Sequence, residues 1–268
     1  MNNLSGAEPG IGPDQGAKAA KEIPPEESFL LEKSVECPVC DKKFKTLAVK
    51  SGRAMRLDPD RDMRPRFKHI DTLKYDIISC PDCGYTAMTR YFDHLSSMQR
   101  KLIREGVSAK FKPAAPTGRK FYTYDEAIDK YKLSFVNTLV KKGRDSEKAY
   151  TCLKISWLLR SKAEAMPEET EAEQKAKEAC KQEEEKFYLQ AYEGFSSALA
   201  NEMPPICGMD QCTMDYLLAY MSYHFEKYEV ASKFLSGVLT SGTATRRMKD
   251  LALDLKDDIV RKIRSKEG

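Results

Sequence analysis

The 268-residue sequence predicts an α+β protein in which a small β-rich module precedes an all-helical domain. Up to about residue 85, apolar residues come in short runs between turn residues, which is typical of strands. From residue 124 onward they recur every three or four positions, which is typical of amphipathic helices. Two Cys-x-x-Cys pairs lie in the first region. The change of period therefore separates two parts of different architecture.

The segment before the module, residues 1–27, is expected to be disordered. It is rich in Gly, Pro, Ala and Glu and lacks periodic apolar positions, so it buries too little apolar surface to offset the entropy of ordering. The first thirty residues contain no apolar h-region, and no run of eighteen apolar residues occurs in the sequence. We therefore predict a cytoplasmic protein without a secretory signal or a membrane partner.

The β-rich module is predicted over residues 28–106. Strands are expected at residues 44–49, 54–57 and 75–79, the last of them leading into the second cysteine pair. A helix with one apolar face is expected over residues 92–103, and the glycine at position 106 is expected to end it.

A basic linker is predicted over residues 107–122, where two prolines and a glycine interrupt the periodicity. Residues 123–268 are predicted to form a helical domain, because turn residues separate six amphipathic stretches. The helices are expected near residues 124–142, 146–165, 168–202, 212–226, 228–240 and 246–265.

Three of these helices share a pattern in which a large apolar residue follows a small one four positions later. The pairs are Ala127/Tyr131, Ala191/Phe195 and Ala231/Leu235. The pattern resembles the tetratricopeptide repeat, in which small residues allow paired helices to approach closely. The pairs begin 64 and 40 residues apart, whereas that repeat has about 34 residues. A tetratricopeptide-like helical repeat domain is therefore the prediction, with a plain helical bundle as the alternative.

The two Cys-x-x-Cys pairs carry the clearest chemical signal. Cys37 and Cys40 form the first pair, Cys80 and Cys83 the second, with 39 residues between them. Two thiolates at this spacing can bind one ion, and two such pairs complete the closed tetrahedral shell of a structural zinc site. We therefore predict a zinc-ribbon-like module that binds one zinc ion, the alternative being redox-active thiol pairs. His69 could join an open site, but a surface or hydrogen-bonding role is expected for it.

An Asp/Arg-rich segment, residues 53–67, lies between the cysteine pairs and is called the Asp/Arg loop below. Its alternating aspartates match the start of a calcium-binding loop, but the glycine and the glutamate that such a loop needs are missing. Either its opposite charges pair with one another in solvent, or its arginines bind phosphate or carboxylate groups of a partner. The candidate partner-binding residues are Arg53, Arg56, Arg64 and Arg66.

The charge is unevenly distributed along the chain. Residues 37–120 contain 19 Lys/Arg and 9 Asp/Glu, a net charge of +10, whereas the whole chain has a net charge of +4. No Gly-rich phosphate loop, HExxH or GxSxG motif occurs, and no enzymatic activity is predicted. We predict a non-catalytic zinc-binding adaptor whose helical repeats bind a protein or peptide. The alternative is a zinc-ribbon protein that binds nucleic acid through the basic segment.

The run CPVC…VKSGR…LDPDRDMRPRF…YDIISCPDCGY, followed by helices, resembles a bacterial family known as domain of unknown function 2225. The resemblance covers about residues 29–260. It implies a zinc-ribbon-like N-terminal part and a tetratricopeptide-like C-terminal part in a cytoplasmic bacterial protein. It supplies no activity.

Overall fold

The structure, a computed structural model, describes residues 23–115 and 118–267. Two antiparallel two-stranded sheets come first among these residues, and α-helices account for most of the residues after the second sheet. This order confirms the predicted α+β class. Of the helices in the described residues, none is long and apolar enough to cross a lipid bilayer.

The two sheets are hairpins with a cysteine pair at or beside each turn. In the first, β1 (Leu30–Glu36) pairs with β2 (Lys43–Val49), so that Glu36 lies opposite Lys43. In the second, β3 (Ile77–Ser79) pairs with β4 (Thr86–Met88). The strand predicted at residues 54–57 is wrong, because that part of the Asp/Arg loop forms only one isolated bridge, between Arg56 and Phe67.

A short helical segment follows the second hairpin. Helix α1 (Ser97–Ile103) begins with a capping box between Ser96 and Gln99, and it continues as a π-helical turn over Arg104–Ser108. Gly106 therefore does not end the segment, contrary to the sequence expectation. It serves close packing instead, because a Cβ at this position would lie 2.7 Å from Cγ1 of Val140 on the next helix.

The remaining helices follow the predicted stretches closely. They are α2 (Tyr124–Val140), α3 (Asp145–Ala165), α4 (Glu171–Asn201), α5 (Gln211–His224), α6 (Tyr228–Thr240) and α7 (Arg246–Glu267). Capping residues fix several of the starts: Thr123 and Thr170 form capping boxes, and Asp210 accepts a bond from the Thr213 amide. Gly194 of α4 lies so close to Ala149 of α3 that a Cβ would be 2.9 Å away, which explains why small residues recur here.

The hydrophobic core is not confined to the helices. Leu73, Ile77 and Met88 from the module belong to the same buried cluster as the apolar faces of α2 to α5. The Tyr131 hydroxyl donates to the Leu73 carbonyl at 3.1 Å, and the Asn137 amide donates to the Gly84 carbonyl at 3.1 Å. The division into a module, a linker and a helical domain stays a prediction. If the module unfolded on its own, the helix side chains that pack against Leu73, Ile77 and Met88 would become exposed to solvent.

The start of the described chain differs in part from the sequence expectation. Residues 1–22 of the predicted disordered tail lie outside the described residues, but Glu26 and Glu27 belong to a 3₁₀ turn, Glu26–Phe29. The Glu26 carboxylate accepts from the Tyr75 hydroxyl at 2.7 Å and lies 2.6 Å from the buried Lys74 ammonium. These contacts fix residues whose composition alone indicates disorder.

Candidate metal centre

The two cysteine pairs lie in two copies of one backbone turn. In each copy, the first cysteine donates its amide to the carbonyl five residues later, and its carbonyl accepts from the amide four residues later. The bonds are Cys37 N to Lys42 O at 2.9 Å and Asp41 N to Cys37 O at 2.9 Å, then Cys80 N to Tyr85 O at 2.8 Å and Gly84 N to Cys80 O at 3.1 Å. This is the arrangement of paired zinc knuckles, which aims both sulfurs of a pair to the same side.

The fifth residue of each turn has a left-handed backbone. Gly84 has a φ of 73°, and Asp41 has a φ of 60°. Aspartate tolerates this region better than most residues, whereas a side chain at Gly84 would also come within 2.4 Å of the Phe111 ring. The second turn therefore requires glycine, while the first does not.

The four sulfurs converge. The Cys37 and Cys83 sulfurs are 3.5 Å apart, the Cys40 and Cys80 sulfurs are 3.7 Å apart, and all four lie within 4.8 Å of one another. Zinc–sulfur bonds of about 2.3 Å in a tetrahedron place the sulfurs about 3.8 Å apart. The set therefore fits one tetrahedral ion, and the chain's own residues supply all four ligands.

The protonation of this cluster also fits a cation. The pKa of the Cys37 thiol is raised above its usual value, because it donates hydrogen bonds to Cys80 and Cys83 and is buried. Hydrogen bonds from Cys37 and, to a smaller extent, from Cys83 lower the pKa of Cys80 to about 2. Thiols this close share protons, and a metal ion that replaces those protons satisfies all four sulfurs at once.

The cluster is closed by its surroundings. Cys37, Cys80 and Cys83 are buried, and only Cys40 is partly exposed. The Tyr85 and Phe92 rings pack beside them with centroids 4.9 Å apart. In the described part of the chain the metal-ligating group contains cysteines alone; His69 lies at a separate cavity that Arg66, Asp71 and Tyr124 also line.

The Asp/Arg loop is fixed to α3 by buried charges. Arg64 is only 2% exposed, and its guanidinium donates to Ser161 at 3.1 Å and to Glu164. Asp62, 1% exposed, accepts from the Trp157 indole at 2.9 Å and from Arg160 at 2.7 Å. The ion pairs of Asp62 and Arg64 are therefore shielded from solvent, contrary to the simpler of the two interpretations, whereas Asp58 pairs with Arg247 at the surface.

The partner-binding role predicted for Arg64 is wrong for the folded chain, and Arg66 is only partly available for such a role. Arg64 is buried against groups of its own chain, so in this conformation it has no surface to offer a partner. Arg66 is half-buried and donates to Glu164 at 2.8 Å. Burial alone would raise the pKa of Glu164, but hydrogen bonds from Arg64 and Arg66 hold it below its usual value.

A family model described as an uncharacterized protein conserved in bacteria (DUF2225) matches residues 30–259. The chain belongs to this family. The matched residues include both cysteine pairs, the Asp/Arg loop and the helices up to most of α7. No curated protein and no solved structure matches the chain significantly.

The other two predicted arginines are exposed. Arg53 and Arg56 have no ion-pair partner within the described part of the chain. Arg56 borders a groove of about 690 Å³ between the Asp/Arg loop and the start of α7, called the loop–α7 groove below. Its lining includes Leu57, Arg61, Tyr216, Arg247, Met248 and Leu251. The sequence gives no local sign of Arg247, which lies 189 residues from its ion-pair partner Asp58.

Proposed function

We propose that this DUF2225 protein is a non-catalytic zinc-binding adaptor, in which one structural zinc ion stabilises the module and the rest of the chain binds a protein or peptide partner. The observation that carries the proposal is the closed set of four cysteines within 4.8 Å of one another, three of them buried. Such a shell leaves no ligand position for water, so the metal supports the fold instead of activating a nucleophile. Four thiolates in a tetrahedron suit zinc, with iron as the competing ion.

A partner surface is supported by the way the Asp/Arg loop is held. Asp62 and Arg64 anchor the loop to α3, so the backbone that carries Arg56 and Leu57 is held in place at the loop–α7 groove. Leu57 is 44% exposed, and Met248 and Leu251 of α7 add apolar surface to the same groove. A partner segment that combines an acidic with an apolar side chain complements this lining.

The tetratricopeptide-like part of the proposal rests on the small residues. Ala127, Ala191 and Ala231 are all 0% exposed, as close approach between neighbouring helices requires. A cytoplasmic location also remains part of this proposal.

The partner proposal is tested by co-purification with matched charge variants. Wild-type protein, the double variant Arg56→Glu/Leu57→Asp and the control Arg53→Glu are tagged and recovered from native lysate with their metal retained. We expect at least one protein to accompany wild type and the control but not the double variant, because Arg56 and Leu57 line the groove and Arg53 does not. A partner that binds all three equally well contradicts the proposed surface, and so does recovery of no partner with any of them.

Nucleic-acid binding is the second candidate. The observation that favours it is the set of exposed basic side chains in residues 37–120 that form no ion pair with the described residues, including Arg53, Arg56, Arg100, Lys110 and Lys112. Gel-shift titrations at rising salt separate the two functions. Nucleic-acid binding weakens steeply with salt because counterions are released, whereas an adaptor shows no shift.

A further inference from the structure

A cleft between the module and the helices gathers cationic side chains from two separate parts of the chain. It measures about 490 Å³, a size typical of small-ligand pockets, and is called the junction cleft below. Its lining includes Arg90, Tyr91, Lys142, Arg144, Glu202 and Cys207. Arg90 comes from the end of the second hairpin, and Lys142 and Arg144 come from the turn between α2 and α3.

The positive charge of the junction cleft is only partly neutralised from within, because its lining has four Lys/Arg side chains and two carboxylates. Arg90, Lys142 and Arg144 are exposed and make no ion pair with any residue that the structure describes. Among the described residues Arg90 donates to the Cys207 carbonyl, and its guanidinium lies 5.8 Å from the centroid of the Tyr91 ring and 5.7 Å from that of Tyr150. Unpaired cations held side by side repel one another, and an anion placed between them relieves that repulsion.

Both carboxylates in the lining are already engaged. Glu147 lies 2.7 Å from the buried Lys141 ammonium. Glu202 accepts from the Ser146 amide at 3.0 Å and from its hydroxyl at 2.6 Å, so it occupies the N-terminus of α3. The free anion-binding capacity of the cleft therefore comes from the side chains of Arg90, Lys142 and Arg144, and not from the helix end.

The shape of the cleft also depends on unusual backbone. Lys142 and Cys207 both have left-handed backbones, with φ of 54° and 50°, and Gly208 has a φ of 75°. A Cβ at Gly208 would come within 2.6 Å of the Arg90 guanidinium. These turns bring Lys142 and Arg90 to the same cleft from segments about fifty residues apart.

We propose that the junction cleft binds a phosphorylated small molecule through the Arg90, Lys142 and Arg144 side chains. Phosphate fits this set because guanidinium groups bind its oxygens in a bidentate manner and an ammonium group adds a point charge. The half-buried Tyr91 ring beside these cations offers a flat apolar surface to the rest of the ligand.

The test uses the full-length, metal-loaded protein and isothermal titration calorimetry. The probes are inorganic phosphate, ATP and a short oligothymidylate, each in a chloride buffer. Four proteins are compared: wild type, Lys142→Glu/Arg144→Glu, the milder Lys142→Gln/Arg144→Gln, and the control Arg246→Glu. Arg246 is exposed and lies outside the cleft lining, and circular dichroism checks that each variant is folded.

We expect wild type to bind phosphate or ATP and the glutamate variant to bind at least about tenfold more weakly, because hydrogen bonds to charged groups are lost. The glutamine variant should weaken binding in the same direction, and the control should match wild type. The proposal is overturned if neither phosphate nor ATP binds wild type at millimolar concentration, or if either folded double variant binds as well as wild type. Binding of oligothymidylate alone would also overturn it, in favour of a nucleic-acid surface.

Discussion

The cysteine knuckles and the Asp/Arg loop are both irregular segments, yet they are fixed in different ways. The knuckles are two identical turns whose four sulfurs meet within 4.8 Å. The loop is fixed by buried charges, since Asp62 and Arg64 bond to side chains of α3. One region depends on four cysteines that lie in two short motifs, and the other on partners far along the sequence. A sequence therefore reveals the first kind of region more readily than the second.

The largest effect is expected from replacing one cysteine of the four-cysteine cluster. Cys83→Ser should lose the metal and unfold the module, because metal binding and folding of such sites are coupled and worth about 10–16 kcal/mol in isolated zinc-finger peptides. Metal analysis and near-ultraviolet circular dichroism measure the two losses. Cys212→Ser, which removes a buried cysteine outside the cluster, is the control and should keep its metal.

Cys83→Ser also tests whether the helical part stays folded when the module unfolds. We expect the helical circular dichroism signal of Cys83→Ser to remain largely intact, because α3, α4 and α5 bury apolar faces against one another. If the helical signal vanishes together with the metal, the core shared through Leu73, Ile77 and Met88 folds only with the module.

A smaller loss of stability is expected from replacing Asp62 in the Asp/Arg loop. Asp62→Ala leaves the buried Trp157 indole without an acceptor, which costs about 1–3 kcal/mol, while Arg160 keeps its ion pair with Glu184. Urea denaturation should show this loss while the zinc content stays unchanged. The matched control is Asp58→Ala, because Asp58 is 93% exposed and its ion pair with Arg247 is a surface contact. Equal stability of both variants would contradict a clamping role for Asp62.

The smallest effect is a pH dependence. Because hydrogen bonds from Arg64 and Arg66 lower the pKa of Glu164 in the folded state, its contribution to stability is present above the unfolded-state pKa. That contribution should be lost as the pH falls through the lowered folded-state pKa. Thermal melts of wild type and Glu164→Gln between neutral and acidic pH should therefore converge as the pH falls. A constant difference between the two proteins would contradict this linkage.

The sequence predicted the features that depend on local patterns. Both cysteine pairs follow from a short motif, and most helix bounds follow from apolar periodicity and turn residues. The short strands β1 and β4 lack a clear sequence pattern, because β1 alternates weakly and β4 has only three residues.

The features that the sequence could not predict depend on contacts between distant residues. The partners of Asp62 lie 95 and 98 residues away, and Arg64 meets Glu164 across 100 residues. No local pattern indicates such contacts, so alternating charges suggest a solvated loop. For the same reason the sequence did not reveal that Arg90 and Arg144 meet at the junction cleft.

The central claim, that the two cysteine pairs together hold one zinc ion, is tested most directly by X-ray absorption spectroscopy at the zinc edge. The protein is purified without chelator, and its zinc content is determined on the same sample. The account predicts one zinc per chain surrounded by four sulfur atoms at about 2.3 Å. Substoichiometric zinc in a well-folded protein, or a shell that contains nitrogen or oxygen ligands in place of sulfur, would contradict it.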